Sequence, residues 1–419
     1  MPEENRDKAA LTSWKEIAGF LGVNIRTAQR WAAQKGLPVR RFPSATGRAT
    51  ADPAELLEWK RQTIKGGPRW SDTRFLQWYA VVASALLFLI AAGLGAFWLI
   101  NARGPPAAAR PELQTLVVTD ERGRELWRKE FRHALAQDAY RGQLSGRTSW
   151  VGDIDGDSDA EVIFVYHPLT PDPPPSTVYC YGRKGDLKWT FVPGQEVADN
   201  TQTYSRAFAI TDFAVSDLGP GIGLRVLVTS HHLTYHPNQF AMLDGGGKAV
   251  AEYWHSGHLD GLAAADLDGD GLREILLCGV NNGLGAATLV VLDPRRAGGA
   301  STVAGDSSMQ LRGFPPAQEK AVLTFPRTCV NRIFDLYNIA KRVRAEPSGI
   351  EIHVQEKLDD ISAVVIYTLD RRLKVLRVLP SDRIKALHQQ LEREGRLNHS
   401  LDGRELERLG KLELRRGFK

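Results

Sequence analysis

The chain has 419 residues, a quarter of them charged, and a formal net charge of +5. That length allows two or three domains, and three cysteines, an odd number, exclude a disulfide framework. The charge is uneven: residues 1–77 carry 14 Lys/Arg against 8 Asp/Glu, so the rest of the chain is within about one charge of neutral, and the two parts should meet different partners.

Ser13-Trp14-Lys15-Glu16 has the pattern of a capping box, with Ser13 capping a helix and Glu16 reaching back. Trp14, Ile17, Ala18 and Leu21 recur at helical spacing and predict a core face. Gly22-Val23-Asn24 predicts a turn, and a second helix runs from Ile25 to about Gln34, with Gly36 as its stop. Two short helices about a glycine turn are the sequence signature of a helix-turn-helix, whose second helix enters the major groove of DNA.

Side-chain chemistry agrees. Arg26, Thr27, Gln29 and Arg30 fall on the second helix, and Arg and Gln can pair bidentately with guanine and adenine edges. Between Asn24 and Thr50 stand Arg26, Arg30, Lys35, Arg40, Arg41 and Arg48, with no acidic residue. VRRFPSATGRATAD predicts a short basic hairpin, a wing with Arg40, Arg41 and Arg48 placed for phosphates. A closing helix starts at Asp52-Pro53. Residues 11–63, NIRTAQRWAAQKGLPVRR above all, resemble the winged helix-turn-helix of the MerR and excisionase-like families. The resemblance implies a DNA-binding domain; the alternative is a basic domain that docks a protein or anionic lipid. The long dimerisation helix of full MerR proteins is missing, so a homodimer is not explained by the head.

Tyr79–Ile100 is 22 residues without charge or proline. At 1.5 Å per residue it spans about 33 Å, enough for a hydrocarbon core, and Trp78, Tyr79 and Trp98 mark its ends as interfacial aromatics do. A signal peptide would not lie behind so long a polar stretch. Lys60, Arg61, Lys65, Arg69 and Arg74 precede the span, whereas only Arg103 and Arg110 follow it closely, in a Pro/Ala linker. The head is therefore expected in the cytoplasm and the C-terminal body outside.

Beyond the span TLVVTDERGRELW (115–127), TVYCYGRKGDLKW (177–189) and QFAMLDGGGKAVA (239–251) align without gaps, with Gly123, Gly185 and Gly247 at 62-residue intervals. Each reads as strand, glycine turn, strand. Trp127 and Trp189 also keep the spacing, and Ala251 takes that place in the third copy. A second element, D-x-D-G-D-x-x-x-E, occurs twice: Asp153, Asp155, Asp157, Glu161 and Asp266, Asp268, Asp270, Glu274. Carboxylates at positions 1, 3, 5 and 9 of a tight loop suit Ca²⁺. An EF-hand would need Glu at position 12, where Phe164 and Leu277 stand, and both loops lead into strand-like runs. A degenerate copy, VSDLGPGIGLRVLVTS (215–230), keeps Asp217, replaces the other acids and has Arg225 at the Glu position, so it should hold no calcium.

These loops resemble the FG-GAP (integrin α-chain-like) repeats of β-propellers, and the hairpins with GRELW and GDLKW also resemble quinoprotein-type blades. Repeats of about 50–60 residues predict a propeller of about five to seven blades, and the two loops, facing calcium-rich surroundings, are expected to hold two calcium ions as structural staples rather than signals. His255 and His258 have no third ligand in view and read as structural. Cys180 and Cys278 read as buried thiols, with a bridge between them left open. IKALHQQLEREG starts a tail helix that packs on the propeller or binds a partner.

The chain is thus expected to be multidomain: winged helix-turn-helix (1–66), basic juxtamembrane linker (67–78), transmembrane helix (79–100), Pro/Ala linker (101–112), all-β propeller (113–380) and helical tail (381–419). Together these predict a bacterial inner-membrane, one-component transcription regulator whose outer propeller senses a ligand or protein and acts on DNA, through dimerisation as one route. No nucleophile elbow, phosphate loop or HExxH is present, so an enzyme is not expected. The rival is an anchored adhesion or scaffold protein whose head binds a cytoplasmic protein.

Overall fold

The computed structural model describes residues 10–41, 48–64, 73–101, 103–141, 147–169, 176–358, 362–401 and 403–416. It divides into two compact units, residues 1–102 and 103–419.

In the first unit, α1 (Trp14–Leu21) and α2 (Ile25–Gln34) flank a turn in which Gly22 is left-handed, φ +70°. Ser13 Oγ accepts from Glu16 N, and Glu16 Oε2 accepts from Thr12 N at 2.8 Å, one residue earlier than in a standard capping box. Asn24 caps α2 by accepting from Thr27 N. A two-stranded hairpin, β1 (Arg40–Arg41) and β2 (Ala49–Thr50), and α3 (Pro53–Ile64) follow. Ile17, Leu21, Leu37, Ala49, Ala51 and Leu56 form the core, with Trp14, Trp31 and Trp59 at its edge. Trp59 Nε1 donates to Lys35 O at 2.8 Å, which fixes the C-terminus of α2 against α3. The hairpin tip, residues 42–47 including its glycine, lies outside the described residues, as do Lys65 and Arg69.

The helix α4 (Thr73–Asn101) is longer than the expected span at both ends. Its stretch Gln77–Gly95 is long and apolar enough to cross a membrane, and every side chain in it is exposed. The side chains of Arg74 and Trp98 lie outside the described set.

Among the described residues the second unit has five larger sheets in chain order, each a meander of antiparallel neighbours, and a two-stranded hairpin (Val197–Ala198 with Thr203–Tyr204) between the second and third. The first has three strands (Ala108–Glu112, Thr115–Thr119, Glu125–Glu130). It recruits residues expected in the Pro/Ala linker; Pro111 is tolerated because its strand is at an edge. The second spans 149–191 and the fifth 338–380, each with four strands. The third spans 208–255 with Gly299–Ala300 added in parallel, and the fourth spans 258–324 with Glu413–Arg416 added at its edge. The tail therefore contributes a strand as well as helices. Its helix Asp382–Arg393 buries Ile384, His388 and Leu391, and Leu391 joins a cluster with Cys329 and Val330, so the tail packs on the body.

Apolar clusters fill the spaces between successive sheets: first and second, second and third, third and fourth, fourth and fifth. Second strands such as Glu161–Tyr166 and Glu274–Asn281 are buried throughout because both faces meet a neighbouring sheet. At the centre, Thr148, Ile210–Asp212, Asp260–Leu262 and Lys341–Val343 line one cavity of about 350 Å³. Segments at the first strands of four sheets thus converge on a common axis, which is a β-propeller arrangement.

The 62-residue repeat has a packing cause. Trp127 of the first sheet donates to Arg183 O of the second at 3.0 Å, and Trp189 of the second donates to Gly245 O of the third at 2.9 Å. Gly185 and Gly247 lie under these rings with φ +82° and +81°, and a Cβ there would come within 2.9 and 2.4 Å of ring carbon Cδ2. Each tryptophan docks on the glycine turn of the next sheet. Cys180 and Cys278 lie in the second and fourth sheets and are free and buried, so the bridge left open by the sequence is not formed.

Candidate functional site

On α2 the core needs Ala28 inside, with Trp31 partly covered, and this turns Arg26, Gln29 and Arg30 outward on one face while Thr27 is half-buried. Lys35, Arg40, Arg41 and Arg48 are also exposed. Arg40 has a loose partner in Glu55 at 3.8 Å, and the Arg41 guanidinium lies 5.5 Å from the Trp14 ring centroid. The outer face of α2 and the described part of the hairpin thus present basic groups, while the core side is apolar.

The two acidic loops sit at equivalent places, between the first and second strands of the second and fourth sheets. Their wiring is the same. Asp153 accepts from Gly156 N and Ser158 N, as Asp266 does from Gly269 N and Gly271 N. The buried Glu161 accepts from Ile154 N at 3.1 Å, and Glu274 from Leu267 N at 2.7 Å. Asp153, Asp155, Asp157 and Glu161 bring ligand oxygens within 4.8 Å of one another; in the second loop only Asp266, Asp268 and Glu274 do so. Asp270 instead faces Arg295 at 3.2 Å.

A cation already stands in each loop. Lys188 Nζ donates to Asp155 (2.8 Å), Asp157 (3.3 Å) and Glu161 (2.7 Å). Lys320 Nζ donates to Asp268 (2.6 Å) and Glu274 (2.5 Å). These hydrogen bonds raise the pKa of Lys188 above its ordinary value, and burial raises that of Glu274 against the pull of Lys320. Both lysines occupy the bulge where the fourth strand shifts register. The same bulge carries Val250 in the third sheet, whose loop keeps Asp217 and has Gly219, Gly221 and Arg225 in place of the other acids. The signal in the sequence is the lysine of GDLKW, between the repeated glycine and tryptophan. Arg225, at the Glu position of that third loop, donates to Leu224 O at 2.7 Å.

The opposite end of the sheets carries a different cluster. His231 is the penultimate residue of the second strand of the third sheet, and His258 and Asp260 open the first strand of the fourth. The two imidazoles lie 4.2 Å apart by ring centroid, and one donor atom each of His231, His258 and Asp260 falls within 4.8 Å of the others. Asp260 pairs with His258 and with Lys341 of the fifth sheet. Burial raises the Asp260 pKa, but His258 and Lys341 outweigh it and hold the carboxyl at about 2. Burial lowers His231 to about 4. The sequence paired His258 with His255; the structure makes His255 a fully buried residue that accepts from Gly257 N and gives His258 a partner from the adjacent sheet. A cavity of about 560 Å³ adjoins, lined by Tyr235, His236, His258, Tyr337, Lys341 and Lys357.

No family model and no curated protein matches the chain. Among solved structures, it is similar to the C-terminal domain of Pseudomonas aeruginosa PilY1 at 11% identity and TM-score 0.38, covering 64% of this chain and 58% of that one. Similarity to the Dos1 propeller is 12% at TM-score 0.36, covering 66% and 59%. For BamB from Moraxella catarrhalis it is 10% at TM-score 0.29, covering 67% and 62%. At these values the propeller reading rests on the sheets themselves.

Proposed function

We propose that the chain is a membrane-anchored, one-component transcription regulator: a cytoplasmic winged helix-turn-helix on DNA, one span, and a five-bladed outer propeller that senses a ligand or partner. The carrying observation is the two-sided α2, with Ala28 in the core and Arg26, Gln29 and Arg30 exposed together. Such a face reads bases, while Lys35, Arg40, Arg41 and Arg48 hold phosphates. The apolar stretch Gln77–Gly95 supports the anchor, and the surplus of basic residues before it supports a cytoplasmic head.

For the acidic loops we propose a cation-held staple. The ammonium groups in this structure are stand-ins for a hard cation, and the converging oxygens of the 153–161 loop fit Ca²⁺ once Lys188 swings out. The 266–274 loop, with Asp270 drawn to Arg295, offers fewer. Bound calcium would neutralise the carboxylates and hold the loop closed.

The regulator reading is tested by selecting DNA from a random pool with the full chain in nanodiscs. Enrichment of one motif, lost in Arg30→Ala and weakened steeply by salt, is the expected result. Uniform weak binding would overturn it in favour of an anchored scaffold whose head docks a protein.

A further inference from the structure

The histidine cluster asks for a cation. A carboxylate oxygen of Asp260 faces His258 Nε2, and one donor atom each of His231, His258 and Asp260 lies within 4.8 Å of the others, close enough to share one ion. The tautomer of the third donor is set by the backbone: His231 Nδ1 lies 2.7 Å from His232 O. A carbonyl can only accept, so Nδ1 carries the hydrogen and Nε2 is left with a lone pair. A backbone carbonyl on the far nitrogen is the usual arrangement of a metal-bound imidazole, fixing its tautomer and its aim.

The surroundings fit the same reading. Tyr235 stacks on both rings, 5.6 Å from His231 and 5.5 Å from His258, and so covers the cluster on one side. On another side is the 560 Å³ cavity. The donors come from the third and fourth sheets, so occupancy would cross-link them. We propose that His231, His258 and Asp260 bind a zinc-class divalent metal, with the fourth coordination position open to the cavity. Two imidazoles and one carboxylate form a donor set for Zn²⁺ rather than for Ca²⁺ or Mg²⁺. An open position beside Lys341 and Lys357 would admit water or an anionic ligand. The proposal does not depend on what the head binds.

Lys341 is the competitor, because its ammonium holds the Asp260 carboxylate. Metal binding must share or displace that contact, which makes Lys341 a useful handle. A second group, Cys329, His388 and His399 in the tail region, also brings donor atoms together and has to be distinguished in any titration.

Cobalt(II) distinguishes them, since a thiolate ligand adds an intense charge-transfer band and an imidazole does not. The full chain, stripped of metal in nanodiscs, is titrated with Co²⁺ and then challenged with Zn²⁺. The expected result is about one equivalent with the strong visible bands of a four-coordinate site, no thiolate band, and displacement by zinc. His231→Ala and His258→Ala should each weaken binding by more than about 100-fold, beyond what loss of an outer partner costs. Lys341→Met, which keeps all three ligands, should tighten it several-fold. Weak octahedral bands, a thiolate band, or bands that persist in His258→Ala would overturn the site. Unchanged or weakened binding in Lys341→Met would overturn Asp260 as a ligand. Circular dichroism of the metal-free variants checks that they are folded.

Discussion

The acidic loops of the second and fourth sheets and the histidine cluster of the third and fourth lie at opposite strand ends, yet they are built on different logics. Each acidic loop draws its carboxylates from nine consecutive residues and its ammonium from the same sheet. The histidine cluster draws on the third and fourth sheets, with Lys341 from the fifth. The first kind belongs to a single repeat and can be copied or lost with it, as the third sheet shows: three of the four acids and the bulge lysine are absent together. The second kind exists only once the sheets are assembled. The first should therefore matter to folding and the second to what the folded body binds.

The largest effect expected from this contrast is at Glu161. Its carboxylate is fully buried, accepts from Ile154 N and faces Lys188. Its removal orphans the Ile154 N–H and takes one of three acceptors from Lys188; with about 1–3 kcal/mol for an unsatisfied buried group and as much for a hydrogen bond to a charge, Glu161→Ala should destabilise the body by about 3 kcal/mol or more in chemical denaturation. A loss below about 1 kcal/mol would break the claim that the acidic end is structural.

Glu356 supplies a pH-dependent control outside both sites. Burial pushes its carboxyl up to about 7, against the donors of Thr328, Asn331 and Asn338. The folded state then holds its proton more tightly than the unfolded chain, so this group's contribution to stability falls as pH rises from about 4.5 to about 7. The shift corresponds to about 3 kcal/mol. Glu356→Gln should flatten that part of the stability profile and stabilise the body at pH 8. An unchanged profile would show that the buried acid is hydrated or paired in solution.

Lys188→Met tests whether the ammonium and calcium are interchangeable. With chelator present it should cost about 1–2 kcal/mol, since hydrogen bonds to charged groups are lost. Millimolar calcium should restore the melting temperature and raise it more in the variant than in the parent. Failure of calcium to rescue would leave lysine as the sole staple.

How much of this was legible follows from chain distance. The helices at Trp14 and Ile25, the glycine–tryptophan repeat and both acidic loops were readable, because each is a short-range pattern with a fixed period. The strand Ala108–Glu112 was hidden in proline and alanine that reads as linker, and only its edge position admits Pro111. Lys188 and Lys320 were missed because 27 and 46 residues separate them from the glutamates they neutralise. The His231–His258 pair could not be read at all, since no local spacing brings a strand end of one sheet beside the strand start of the next. The blade count stayed open for a related reason: residues 300–350 form the strands Glu319–Thr324 and Asn338–Glu346 without the glycine–tryptophan signature.

The smallest effect is the one that separates the two ends most sharply. His258→Gln in chelator should shift body stability by no more than about 1 kcal/mol. The substitution removes one contact of Asp260 while Lys341 still holds that carboxylate, and a glutamine of similar size keeps the place beneath Tyr235 filled. The same variant should abolish any stabilisation by zinc, which in the parent grows with metal concentration above its dissociation constant. A cluster whose loss leaves folding nearly untouched while removing a ligand-dependent gain is a binding site placed on a scaffold. A loss as large as that at Glu161 would instead make it a second structural staple, and the contrast between the two ends would fail.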